Sequence, residues 1–110
     1  MADNRKYYYL KLKENFFDSD SIVLLEDMKD GILYSNILLK LHLKSLKNGG
    51  RLQLDEHIPY TAQMIATLTR HQIGTVERAL AIFQQLGLVE QLDCGLLYMT
   101  DIELMIGQSS

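Results

Sequence analysis

Residues 68–90 read LTRHQIGTVERALAIFQQLGLVE. Val76, Ala79, Leu80 and Phe83 recur at i, i+3, i+4 and i+7, with Leu86 at the edge. That is the spacing of one buried helix face. It predicts a helix over 74–86 with Gly87 as its stop. Gly74 is the expected N-cap, and Glu77, three residues on, suits the positive end of the helix dipole. The opposite side carries Arg78, Ala81 and Gln85, with Gly74 at its leading end. Thr75 and Glu77 flank that side near the start, Ile82 and Gln84 farther along. The helix is a brace on one face and polar and sterically open on the other.

Just upstream, TAQMIATLT predicts a helix from a Thr61 N-cap to Thr69, with Ile65 and Leu68 facing the following helix. Arg70-His71-Gln72-Ile73 then joins two helices that cross steeply. Downstream, residues 88–92 and 96–99 read as two short strands around Asp93-Cys94-Gly95, a hairpin. DIELMI reads as a last helical turn, and GQSS as the start of a flexible linker.

Toward the N-terminus, KYYYLKL alternates with period two. Tyr8, Leu10 and Leu12 point one way, and Tyr7, Tyr9, Lys11 and Lys13 the other, as in a half-buried strand. Asp18 to Ser21 offers N-caps for a short helix, IVLLEDM, broken at Asp30-Gly31. Residues 32–47, ILYSNILLKLHLKSLK, form the strongest helix. Asn36, Lys40, Lys44 and Lys47 fall in one narrow stripe on it, and nearly everything else is apolar, so it is central with one wet edge. Asn48-Gly49-Gly50 ends it. RLQL is a further short strand. The order is strand, helix, helix, strand, helix, turn, helix, hairpin, short helix. That predicts a mainly α (α+β) winged helix-turn-helix with a small antiparallel sheet and an extra N-terminal strand. The winged-helix domain is expected over 1–106, with 107–110 opening a linker to a further C-terminal region.

The chain has 110 residues and 47% hydrophobic composition, enough for one core and not two. MADNRKYYYLKLK lacks the apolar stretch of a signal peptide. No apolar run has the length to cross a bilayer. The single Cys94 forms no internal disulfide, which fits a reducing cytoplasm.

Net charge is −3, which argues mildly against a protein coated in phosphate contacts. The charges are uneven: Lys and Arg concentrate before residue 52, and beyond it only Arg70 and Arg78 are basic. Thr75, Arg78 and Gln85 suit hydrogen bonds to base edges or phosphates, and small Gly74 and Ala81 let the backbone come close. Arg70 and His71 lie in the turn, where a helix-turn-helix meets the DNA backbone. Glu77 opposes phosphate, and Glu90 and Asp93 make the hairpin acidic, so the wing is left out of the DNA contact.

The lysine stripe Lys40, Lys44 and Lys47 offers candidate phosphate contacts, Lys44 and Lys47 foremost, although a solvated helix edge is the reading the residues favour. Arg5 and Lys6 form a basic end of similar ambiguity. Tyr7, Tyr9 and Lys11 are candidate self-association residues; the plain alternative is an edge strand blunted by lysines. His42 sits on an apolar face as a core histidine. His42, His57, His71 and Cys94 show no metal-ligand spacing, and no cofactor is expected. Gly49-Gly50 is followed by no GK[ST], and no Ser, His and Asp set falls in a recognised frame, so no enzyme is expected.

Four blocks carry a family resemblance: KYYYLKLKENFFDSD, LLEDMKDGILYSNILLKLHLKSLKNGGRL, IPYTAQMIATLTRHQIGTVERALAIFQQLGLVE and YMTDIELMIGQSS. Over residues 5–110 the chain resembles the N-terminal domain of phage replisome organisers, replication initiation proteins of phages and prophages in low-GC Gram-positive bacteria. More distantly it is similar to the N-terminal domains of RepA-type plasmid initiators and DnaD-like primosome proteins. The resemblance implies a winged helix that binds double-stranded DNA at the replication origin and self-associates as a homodimer or higher oligomer. It also implies that a further C-terminal region recruits the host helicase or helicase loader. The helix-turn-helix maps to residues 61–86, and the DNA-facing residues to Arg70, His71, Thr75 and Arg78. Cys94 departs from the Asn expected in the hairpin turn, and Gly74 from the Asp expected at the helix start.

Two alternatives stay open on the residues alone. One is a protein-interaction winged helix of the replication machinery, suited by the tyrosine strand, Ile82 and the acidic hairpin. The other is a small transcriptional repressor, which needs an effector pocket or dimer helix.

Overall fold

The structure, a computed structural model, describes residues 7–109. It is a mixed α/β domain with four α-helices and three small antiparallel strand pairs among those residues. Helix α1 (Asp20–Asp27) buries Ile22 and Leu25, and α2 (Gly31–Ser45) buries Tyr34, Ile37, Leu38 and Leu41. These pack with Ile65 and Ala66 of α3 (Ala62–Thr69) and with Val76, Ala79, Leu80 and Phe83 of α4 (Ile73–Gln85) in one core. The four apolar residues of the opening stretch are therefore the buried face of α4, as their spacing predicts. Leu68, expected to join them, is half-exposed.

The helix boundaries follow local chemistry. Thr61 caps α3, its Oγ1 accepting from the Met64 amide at 3.1 Å. The start of α4 corrects the expectation: Gln72, not Gly74, is its N-cap, and the helix begins at Ile73. Gly74 lies inside the first turn, and Glu77 falls beyond the position where it would cap. Gln72 has extended backbone, φ −70 and ψ 147, which an ordinary residue adopts without strain. No glycine is needed there. After α2, a 3₁₀ turn (Leu46–Asn48) ends at Gly49, whose φ of 62 suits glycine.

Strands β2 (Gln53–Asp55) and β3 (Ile58–Pro59) form a small hairpin. Strands β4 (Val89–Gln91) and β5 (Leu97–Met99) form the expected hairpin after α4, with Val89 opposite Met99. The chain between α2 and β2 runs along the other edge of β5. The Leu52 amide donates to the Leu97 carbonyl at 2.9 Å, and the Met99 amide to the Gly50 carbonyl at 2.8 Å.

The two ends of the described chain also pair. β1 (Tyr7–Leu10) runs antiparallel to β6 (Ile106–Ser109), with Tyr9 opposite Gly107. A Cβ at Gly107 would meet the Tyr9 ring, so the ring covers this glycine. The reading of 107–110 as a linker is thus corrected at residues 107–109, and the expected boundary at 106 falls inside a strand. Only a pairing partner 98 or more residues away in sequence makes these small polar residues a strand, which is why local pattern reads them as a linker. Before β6, a 3₁₀ turn (Ile102–Leu104) occupies part of the expected last helical turn. Arg5 and Lys6 lie outside the described residues.

Candidate nucleic-acid interface

The turn between α3 and α4 begins with Arg70 in the left-handed region, φ 63. Its amide and that of His71 close onto the Ala66 carbonyl, so the turn is built from backbone bonds. Glycine is the usual residue at such a helix end, because a Cβ there costs about 1 kcal/mol. Arg70→Gly is therefore expected to leave the domain as stable as the parent, or up to about 1 kcal/mol more stable. Urea denaturation checks this. A loss of stability would mean that the Arg70 side chain holds the turn.

Three hydrogen bonds tie the turn and α4 to α2. Lys40 Nζ donates to the Thr69 carbonyl at 2.8 Å, placing a cation on the C-terminal end of α3. His71 Nε2 lies 2.8 Å from Asn36 Oδ1. Arg78 Nε donates to the Tyr34 hydroxyl at 3.4 Å. Burial, then the neighbouring Lys40 ammonium, hold His71 below the ordinary imidazole value.

The exposed side of α4 carries Glu77, Arg78, Ala81 and Gln85, as expected. Thr75 is a correction: it is only 7% exposed, and its Oγ1 accepts from Arg78 Nη2 at 3.5 Å. It lies at the edge of the apolar arc, next to Ala79 around the helix, and packing buries that edge rather than leaving it on the rim. It supports Arg78 from behind instead of lying on the open face.

Arg70, Lys40 and Lys44 line one groove with Leu43 and Leu68. The fold thus joins a turn residue to two members of the lysine stripe, which the helical wheel alone treats as a solvated edge. Asn36 and Tyr34 are the residues that sequence reasoning did not name as site members; Lys40 it named only as part of the lysine stripe. Asn36 and Lys40 carried a signal, as polar positions on an otherwise apolar helix. Tyr34 carried none, being one apolar-face residue among many. Lys47 is exposed on the 3₁₀ turn after α2 and does not line the groove. Tyr9 and Lys11 are exposed on and just after β1 and do not line it.

The hairpin has the opposite sign. Burial first, then Glu103, Glu90 and Asp101, raise the Tyr98 hydroxyl above its ordinary value, and Arg51 opposes them. Among the described residues, no helix is long and apolar enough to cross a membrane.

Fold and groove together define a small mixed α/β domain with a tightly joined helix pair and a cationic groove beside it. A family model described as the N-terminal phage replisome organiser matches residues 9–110. The chain belongs to this family and so has a role in phage replication. No curated protein and no solved structure gives a significant match to it.

Proposed function

We propose that this chain is a winged helix-turn-helix module that binds double-stranded DNA at a phage replication origin, in the cytoplasm of the host, and is not an enzyme. The winged-helix reading is supported by the order α2, residues 50–52, α3, α4, β4, β5, with residues 50–52 and β4 on either edge of β5. The observation that carries the DNA reading is the convergence of Arg70, Lys40 and Lys44 in one groove at the end of α3, where the turn leads into α4. Helix α4 enters the major groove, where Arg78 and Gln85 meet base edges and Gly74 and Ala81 allow close approach. Arg70, Lys40 and Lys44 take phosphates, and His71, just before α4, meets a base edge. The acidic hairpin stays off the DNA.

With about four cations engaged, log K should fall with log salt at a slope of roughly −3 to −4. Arg70→Ala should lower the slope by about one and weaken binding to all duplexes alike. Arg78→Ala should cost about 1–3 kcal/mol on the preferred duplex. Fluorescence anisotropy on origin DNA across a salt series measures both. If both variants bind like the parent, α4 and its turn are not the reader.

A protein-interaction role is favoured by a separate observation. Val23 and Leu24 on α1 and Ile32 on α2 are 50%, 56% and 67% exposed. Taken as one contiguous apolar patch, these three mark an interaction surface. Sedimentation across concentration tests the homodimer, and a monomer at the highest concentration counts against it.

A further inference from the structure

We propose that Tyr34 and Asn36 set the sequence selectivity of the reading face without touching DNA, by fixing the Arg78 guanidinium and the His71 ring. This rests on the DNA-binding reading above. An arginine on an exposed helix face samples many rotamers, and selectivity suffers when that freedom must be lost on binding. Here Arg78 is held at two points. Its Nε donates to Tyr34 and its Nη2 to Thr75. Tyr34 is buried in α2, so its hydroxyl is a rigid anchor. A guanidinium has five N–H donors. With two committed, both Nη1 hydrogens and one Nη2 hydrogen remain. These form the planar fork that matches guanine O6 and N7. Nη1 also lies over Gly74, where a Cβ would stand 3.5 Å from it. The guanidinium is thus drawn back over the first turn of α4.

Asn36 acts on His71 in the same way. When Nε2–H donates to Oδ1, the neutral ring has one tautomer, and Nδ1 becomes its acceptor. Both anchors sit on α2, 35 and 44 residues before the side chains they hold. The central helix is therefore part of the reader.

The test uses a duplex selected by the whole chain from a random library, and a shuffled duplex of equal composition. The readout is the ratio of their dissociation constants, with the salt slope and thermal midpoint measured alongside. Tyr34→Phe should lower the ratio about five- to ten-fold while the salt slope stays at the parent value, because Arg78 keeps its charge. Asn36→Ala, at an exposed site, should lower it by a smaller factor and carries the test if Tyr34→Phe fails to fold. Arg78→Lys should lose the same selectivity, and Tyr34→Phe added to it should cost nothing more. Equal weakening of both duplexes, or additive losses in the double variant, overturns the proposal and leaves a merely structural role. If Arg78→Ala weakens binding but Tyr34→Phe and Asn36→Ala keep the parent ratio, the positioning role fails alone. If neither Arg78→Ala nor Arg70→Ala changes binding, the DNA reading fails and takes the proposal with it; if Arg78→Ala alone changes nothing, the positioning proposal fails by itself.

Discussion

Gly31→Ala is expected to destabilise the domain by about 3 kcal/mol, near the upper end for overpacking. Helix propensity alone argues the other way, since alanine is favoured over glycine by up to about 1 kcal/mol. Packing reverses the sign. A Cβ on Gly31 would stand 2.4 Å from the Glu26 carbonyl oxygen and 2.6 Å from the Glu26 carbonyl carbon and Cα. Those atoms are backbone of α1, which cannot rotate aside as a side chain can. The variant must separate α1 from α2 and loosen Ile22 and Leu25 against Ile37 and Leu38. Urea denaturation of parent and variant measures the loss. Gly74→Ala is the matched control, because its Cβ would meet only Arg78 Nη1, at an ordinary 3.5 Å. It should be neutral or slightly stabilising. A Gly31→Ala protein as stable as the parent would mean that α1 does not press on the start of α2.

Acid should cost the domain about 3 kcal/mol through His42 alone. His42 is 4% exposed, and its Nδ1 is buried with no hydrogen-bond partner. Burial holds its pKa down at about 4, against an ordinary 6.5, and the Leu38 carbonyl one turn earlier offsets only part of that. Between those two values the unfolded chain takes up a proton that the folded protein refuses. The stabilisation is complete above about pH 6.5, declines as pH falls toward 4, and levels off below it.

At about 1.4 kcal/mol per pH unit, the interval yields the stated loss. His42→Leu removes the titration. The stability gap between parent and variant should therefore shift by about 3 kcal/mol in the variant's favour between pH 7 and pH 4. Asp101 is the charged group lining the same small cavity, so Asp101→Asn should leave that shift in place if no ion pair forms on acidification. A constant gap at both pH values would mean that His42 titrates as in the unfolded chain.

Legibility in the sequence followed the length and periodicity of each segment. The α4 face, the Thr61 cap, the glycine stop after α2 and the hairpin around Gly95 rest on residues within a few positions of one another. Period and turn chemistry suffice for such features. The exposed placement of Arg78, Ala81 and Gln85 follows from the same wheel. Thr75 was misplaced because its position lies at the border of the apolar arc. Which side of a border is buried depends on the neighbouring helix, and here α2 lies against it.

The sequence by itself determined the helical core, the order of the four helices and the hairpin after them, the family and the scarcity of positive charge after residue 52. All follow from side-chain pattern read along one chain. Only the tertiary structure decided that residues 106–109 pair with β1, that Gly31 is pressed against Glu26, and that Lys40 and Lys44 share a groove with Arg70. It alone joined Tyr34 to Arg78 and Asn36 to His71. Each of these depends on atoms far apart in sequence brought within a few ångströms. No local preference encodes such a distance; the packing of α2 against α3 and α4 sets it.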